Sequence, residues 1–171
     1  VLKEYILWYA FVGAVRVAGV QILKYWVVTH LAVGESAPFL PGFMQLTRLH
    51  NYGAAWSSLS GRTVLLVVFT AVLLAAVALL LIKKVVRHWT GITACTLILS
   101  GGIGNFIDRI VHGYVVDMFD LQLFSYPVFN LADCCVVAGA ILGGMYYLFL
   151  YDKYDKKKKE PDHAHDPSDP S

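Results

Sequence analysis

Charge is scarce in this chain: only 15% of its 171 residues are Asp, Glu, Lys or Arg, where a soluble domain carries about 25%. Hydrophobic residues make up 57%, and a water-soluble chain of this length has too little interior to hide them. Cysteine is scarcer still. Cys95, Cys134 and Cys135 form no spaced pairs and no C-x-x-C, which excludes a disulfide framework and a cysteine metal site. We read them as small buried apolar residues. No short apolar stretch ends in an A-x-A-type site, so no cleaved targeting peptide is expected. No internal repeat is evident.

What remains is long apolar runs. A membrane span needs about 20 mostly apolar residues, and four runs qualify: 5–28, 63–82, 89–107 and 128–151. The expected fold is an all-α polytopic membrane protein, a four-helix bundle forming one domain over residues 1–151. Lys83, Lys84 and Arg87 lie between the second and third spans, Lys3 precedes the first, and Lys153 and Lys156–Lys159 follow the fourth. Basic residues mark the cytoplasmic side, so both termini are expected inside and the connections 29–62 and 111–127 outside. The tail 152–171 is charged and poor in apolar residues, and is expected to be disordered in the cytoplasm. His163 and His165 make at most a weak metal tract there. The longer outer connection alternates apolar and polar residues over Phe43–Leu49, which predicts a strand in a small sheet on the membrane surface.

Ionisable and polar residues within spans are expensive and mark functional sites. By this topology Lys24, Asn105, Asp108, Arg109, Asp117 and Asp133 all fall at one depth, near the outer face. Arg16 lies about two turns deeper. Taken one at a time, several have structural explanations. Asn130 and Asp133 fit a helix cap with an acidic first turn. Asp108 and Arg109 fit a mutually neutralising pair closing the third span. Asn51 fits a turn residue, and Gly101, Gly102 and Gly104 fit close helix packing. These explanations do not cover Asp117 and Asp133 as a pair, because neither has an obvious local cation and both flank the same short connection. Two carboxylates in a low-dielectric site do not both ionise easily, so one keeps a proton. The pair then offers a base for water and an acid for a scissile carbonyl.

The segments Asn51-Tyr52-Gly53-Ala54-Ala55-Trp56-Ser57, Gly104-Asn105-Phe106-Ile107-Asp108-Arg109, Val115-Val116-Asp117-Met118-Phe119 and Phe129-Asn130-Leu131-Ala132-Asp133 resemble, in order, the signature blocks of the lipoprotein signal peptidase (signal peptidase II) family. The resemblance implies an intramembrane aspartic endopeptidase of the bacterial cytoplasmic membrane. It would remove signal peptides from diacylglyceryl-modified prolipoproteins by cutting before the lipidated Cys. It places the catalytic carboxylates on Asp117 and Asp133, and supporting roles on Asn51, Asn105, Asp108, Arg109, Asn130 and Lys24. It also implies that the outer sheet cradles the substrate. No cofactor, metal or nucleic acid is expected, and the partners are the lipidated precursors and membrane lipids, met by a monomer. The chain departs from the family where Asp-Gln-x-Thr-Lys is usual: it reads Val20-Gln21-Ile22-Leu23-Lys24, which leaves Lys24 without its usual acidic neighbour. Trp56 stands where Phe is more usual.

A different class of function, a small proton- or ion-coupled carrier, would use the same Asp, Arg and Lys as a relay. Against it, the polar residues gather at one face, whereas a carrier site lies at the midplane. A non-catalytic scaffold would not need the carboxylate pair.

Overall fold

The computed structural model describes residues 2–53 and 61–156, the first five as backbone only. Among them are four helices long and apolar enough to cross a membrane: α1 (Leu2–His30), α2 (Thr63–Ile82), α3 (Trp89–His112) and α4 (Leu131–Phe149). The helices overrun or fall short of the expected spans in informative ways. α1 is longer than 5–28 at both ends. α3 continues past residue 107 to His112, because nothing breaks it until Gly113, which takes φ 79° and donates its N–H to the Arg109 carbonyl. Asp108 and Arg109 therefore lie inside a helix. α4 begins only at Leu131, after extended residues.

α2 is apolar on every side and buries only Leu66, as expected of a helix facing lipid. α3 is the hub on which α1, α2 and α4 pack. Its buried stripe includes Gly91, Ala94, Ser100, Gly101 and Gly104, small residues that let helix backbones approach where no hydrophobic driving force draws them together. At Gly101 the approach is closest, since a β-carbon there would fall on the Ala132 carbonyl oxygen of α4.

Three strands, β1 (Ser36–Leu40), β2 (Met44–Asn51) and β3 (Val115–Leu121), form an antiparallel sheet in that order. The expected strand is β2. β3 comes from the second connection, where the sequence reading placed no strand. Val27 of α1 and Leu31 just after it pack on Leu46, Val116 and Met118 of the sheet. Arg48 of β2 fastens this contact by donating to the Val28 and Leu31 carbonyls, 3.0 Å each, which α1 leaves unpaired at its C-terminus. The Phe129 carbonyl accepts from the N–H groups of Met118 and Phe119, at 2.9 and 2.7 Å. The residues leading into α4 thus lie along β3.

The start of the expected disordered tail is ordered. Tyr151–Tyr154 form a short helix, α5, and the Asp155 side chain is fully buried. Its carboxylate accepts from the Arg87 and His88 N–H groups, 3.0 Å each, from Arg87 Nε at 3.2 Å and from the Tyr146 hydroxyl. Asp155 thereby closes the N-terminus of α3, where a helix dipole favours an anion. Of the cysteines only Cys95 is buried; Cys134 is exposed, and Cys135, which lies beside Gly101 of α3, is half-buried. Ala54–Ser57 of the first signature block, with Trp56, and Lys157–Lys159, His163 and His165 lie outside the described residues.

Candidate active site

Seven of the eight candidate residues form one hydrogen-bonded network, which Arg109 joins only through the backbone of Gly53. Asp117 is buried on β3, and its two carboxylate oxygens accept from Asn51 Nδ2 at 2.9 Å and Asn130 Nδ2 at 2.6 Å. The Asn130 amide also donates to Asn105 Oδ1 at 3.1 Å. Asn105 Nδ2 in turn donates to Asp133 Oδ1 at 2.7 Å. Two carboxamides therefore join the two carboxylates, across α3, β3 and the capped start of α4.

The local explanations and the site roles coexist. Asn130 is the N-cap of α4: its Oδ1 accepts from the Asp133 N–H at 3.1 Å, while its own N–H donates to Asp133 Oδ2 at 3.0 Å. This reciprocal capping box fixes both side chains. Asn51 accepts the Gly53 N–H at 2.9 Å, a turn contact that leaves its amide N–H₂ for Asp117.

The expected Asp108–Arg109 pair does not form. Consecutive helix residues diverge by about 100° and do not face each other. Asp108 turns instead to α1, where Lys24 Nζ lies 2.8 Å from its Oδ2 and 2.8 Å from Asn105 Oδ1. Lys24 thus takes its carboxylate from another helix. Asp108 also accepts from the Val116 N–H at 3.0 Å and from Gln21 Nε2 at 3.3 Å. Gln21 is a contributor the sequence reading passed over, although it sits three residues before Lys24 on the same face of α1. Val20 is sealed against α3 near Gly104, and Leu23 packs on the sheet core. Both departures from the family's motif therefore serve packing. Arg109 points the other way and donates to the Gly53 carbonyl at 2.9 Å. Arg16 stays apart from the network, donating to Thr96 Oγ1 at 3.2 Å.

Asn51, Asn105, Arg109, Asp117 and Asp133 share the wall of a cavity of about 630 Å³. Apolar residues of α2, α3 and α4, among them Leu73, Leu74, Ile98, Val136 and Val137, form much of the rest. Burial, and then the neighbouring Asp133 charge, push the Asp117 carboxyl up to about 6, against the opposing hydrogen bonds of Asn51 and Asn130 and the charge of Lys24. A carboxyl held there can exchange a proton near neutral pH. Among the described residues no three His, Cys, Asp or Glu side chains come together to hold a metal ion.

The chain is similar to known proteins over most of its length. The family model for signal peptidase (SPase) II matches residues 14–149. The chain is 39% identical over 151 residues to the lipoprotein signal peptidase of Enterococcus faecalis, an alignment covering 88% of this chain and 93% of that one. It is 42% identical over 123 residues to that of Streptococcus pyogenes, covering 71% and 80%. A solved bacterial membrane enzyme superposes with a TM-score of 0.79 at 33% identity, covering 91% of this chain and 95% of that chain. By motif, by sequence identity and by fold, this chain belongs to the signal peptidase II family of membrane proteases.

Proposed function

We propose that the chain removes the signal peptide from diacylglyceryl-modified prolipoproteins, cutting before the lipidated Cys at the outer face of the bacterial cytoplasmic membrane. The observation that carries this reading is that Asp117 and Asp133 face one cavity whose remaining wall is largely apolar. The peptide bond meets the carboxylates while the acyl chains follow the apolar wall between α2 and α4. Asp133 in its ionised form takes a proton from water, which attacks the scissile carbonyl. Asp117 holds the second proton and gives it to the carbonyl oxygen as the tetrahedral intermediate forms. A bound acyl chain excludes water and raises the Asp117 carboxyl further. Collapse of the intermediate returns a proton to the leaving amine of the Cys, and the pair is restored. Asn51 and Asn130 hold Asp117, Asn105 holds Asp133, and Lys24, Asp108 and Arg109 position these amides. Lys83, Lys84 and Arg87, between α2 and α3, support the reading that this end of the bundle faces the cytoplasm.

The test is cleavage of a diacylated lipobox peptide by the detergent-solubilised protein. Asp117→Asn and Asp133→Asn should each abolish cleavage while leaving a cooperative unfolding transition. Full activity in either variant sinks the mechanism. Cleavage should also be indifferent to chelators and to serine- or thiol-directed reagents.

A further inference from the structure

A second cavity, of about 770 Å³, shares no lining residue with the one that holds the carboxylates. It lies between α1 and α2 over α3, and runs from the α2–α3 loop at Lys84 and Arg87 to Ile103. The stretch of α3 along it, Ile92 to Ile103, is about 16 Å long by helical rise. Ala10, Gly13 and Ala14 make the α1 wall shallow, and a β-carbon on Gly13 would meet nothing within 4 Å. Two hydroxyls of α3 along the groove are already engaged: Ser100 donates to the Thr96 carbonyl at 2.8 Å, and Thr96 donates to the Thr93 carbonyl at 3.0 Å and accepts from Arg16 at 3.2 Å. The depth of the groove is therefore apolar and its mouth is basic.

The mouth is shaped by an unusual backbone. Lys84 has φ 54°, the one positive value outside glycine among the described residues, and its loop is pinned by Lys84 N–H to Leu81 O at 3.0 Å and Val85 N–H to Leu80 O at 2.9 Å. Asp155 offsets the charge of Arg87. Lys84 has no acidic partner among the described residues. We propose that this groove binds one acyl chain of an anionic phospholipid, with the phosphate held at Lys84 and Arg87. A cationic peptide end would be repelled at this mouth, and a zwitterionic headgroup would bring its own ammonium against Lys84. The assignment is independent of the peptidase reading, since none of its residues belongs to the carboxylate network.

Native mass spectrometry of the detergent-purified full chain, incubated with phosphatidylglycerol or with phosphatidylcholine of the same acyl chains, tests this. The wild-type protein should retain phosphatidylglycerol about fivefold better, the scale of one uncompensated basic contact to an anionic headgroup. Lys84→Asn keeps a side chain that tolerates positive φ, and should bring the two lipids to parity while lipid is still retained. Gly13→Leu fills open space and should reduce retention of both. Equal retention by the wild type, an unchanged preference in Lys84→Asn, or a peptide in place of lipid overturns the proposal. Should Gly13→Leu fail to fold, the headgroup comparison on Lys84→Asn alone decides.

Discussion

The Lys24 ammonium stands 2.8 Å from the Asp108 carboxylate, and each side chain is only 3% exposed. The two are 84 residues apart in the chain and come from different helices. Their contact docks α1 on α3 at the depth where Asn105 meets the carboxylate pair.

Breaking that contact from one side strands a buried charge. Lys24→Met should lower stability by about 3 kcal/mol, and Asp108→Leu by a similar amount. The double variant Lys24→Met with Asp108→Leu should recover part of the loss, because a packed apolar pair leaves no charge uncompensated. Thermal unfolding of the four proteins in one detergent measures this. Additive losses would show that the pair is not coupled.

Asn130→Ala removes a cap and a site contact together. The cap is worth about 1 kcal/mol. A hydrogen bond to a charged carboxylate is worth about 1.5–3 kcal/mol, so cleavage should fall roughly 10- to 100-fold. Asn130→Ser keeps a capping oxygen but cannot reach Asp117 in the same way. It should regain most of the stability and little of the rate, which separates the two roles by kcat against unfolding temperature.

The raised Asp117 carboxyl has a signature in stability. Its ordinary value is 3.8 and its folded value about 6, so the folded protein holds this proton more tightly than the unfolded chain. Below pH 4 both states are protonated and the shift contributes nothing. Between pH 4 and 6 the folded state is progressively penalised, by about 3 kcal/mol in full above pH 6. Stability of the wild type should therefore fall, relative to Asp117→Asn, as pH rises across that window. A difference that is flat with pH would mean that Asp117 ionises as an ordinary carboxylate.

Gly101→Ala should push α3 from α4, because the added carbon meets the Ala132 carbonyl oxygen. Overpacking of this kind costs about 1–3 kcal/mol. The displacement lies one turn from Asn105, so cleavage should fall with it. Gly144→Ala, whose added carbon meets nothing within 4 Å, is the control and should leave both unchanged.

The carboxylates and their asparagines were legible in the sequence because each sits in a short block whose order along the chain carries the family pattern. The four spans were legible because apolar composition alone sets them. What local reading missed are contacts that only tertiary packing creates. Asp108 looked neutralised by Arg109, yet adjacent helix positions face apart, and its true partner lies on α1. β3 was hidden because Val115–Leu121 needs β2 beside it to become a strand. Asp155 read as one more charge in a polar tail, and nothing nearby in sequence signals that Arg87, His88 and Tyr146 converge on it.

That carboxylate also imposes an order in time. α3 is synthesised long before residue 155, and chains form their parts from the N-terminus onward. Until α4 and the turn after it emerge, the Arg87 and His88 N–H groups and the Tyr146 hydroxyl have no common acceptor. The bundle is therefore left unfastened at this end while its spans enter the membrane, and Asp155 with the turn that carries it acts as the clasp.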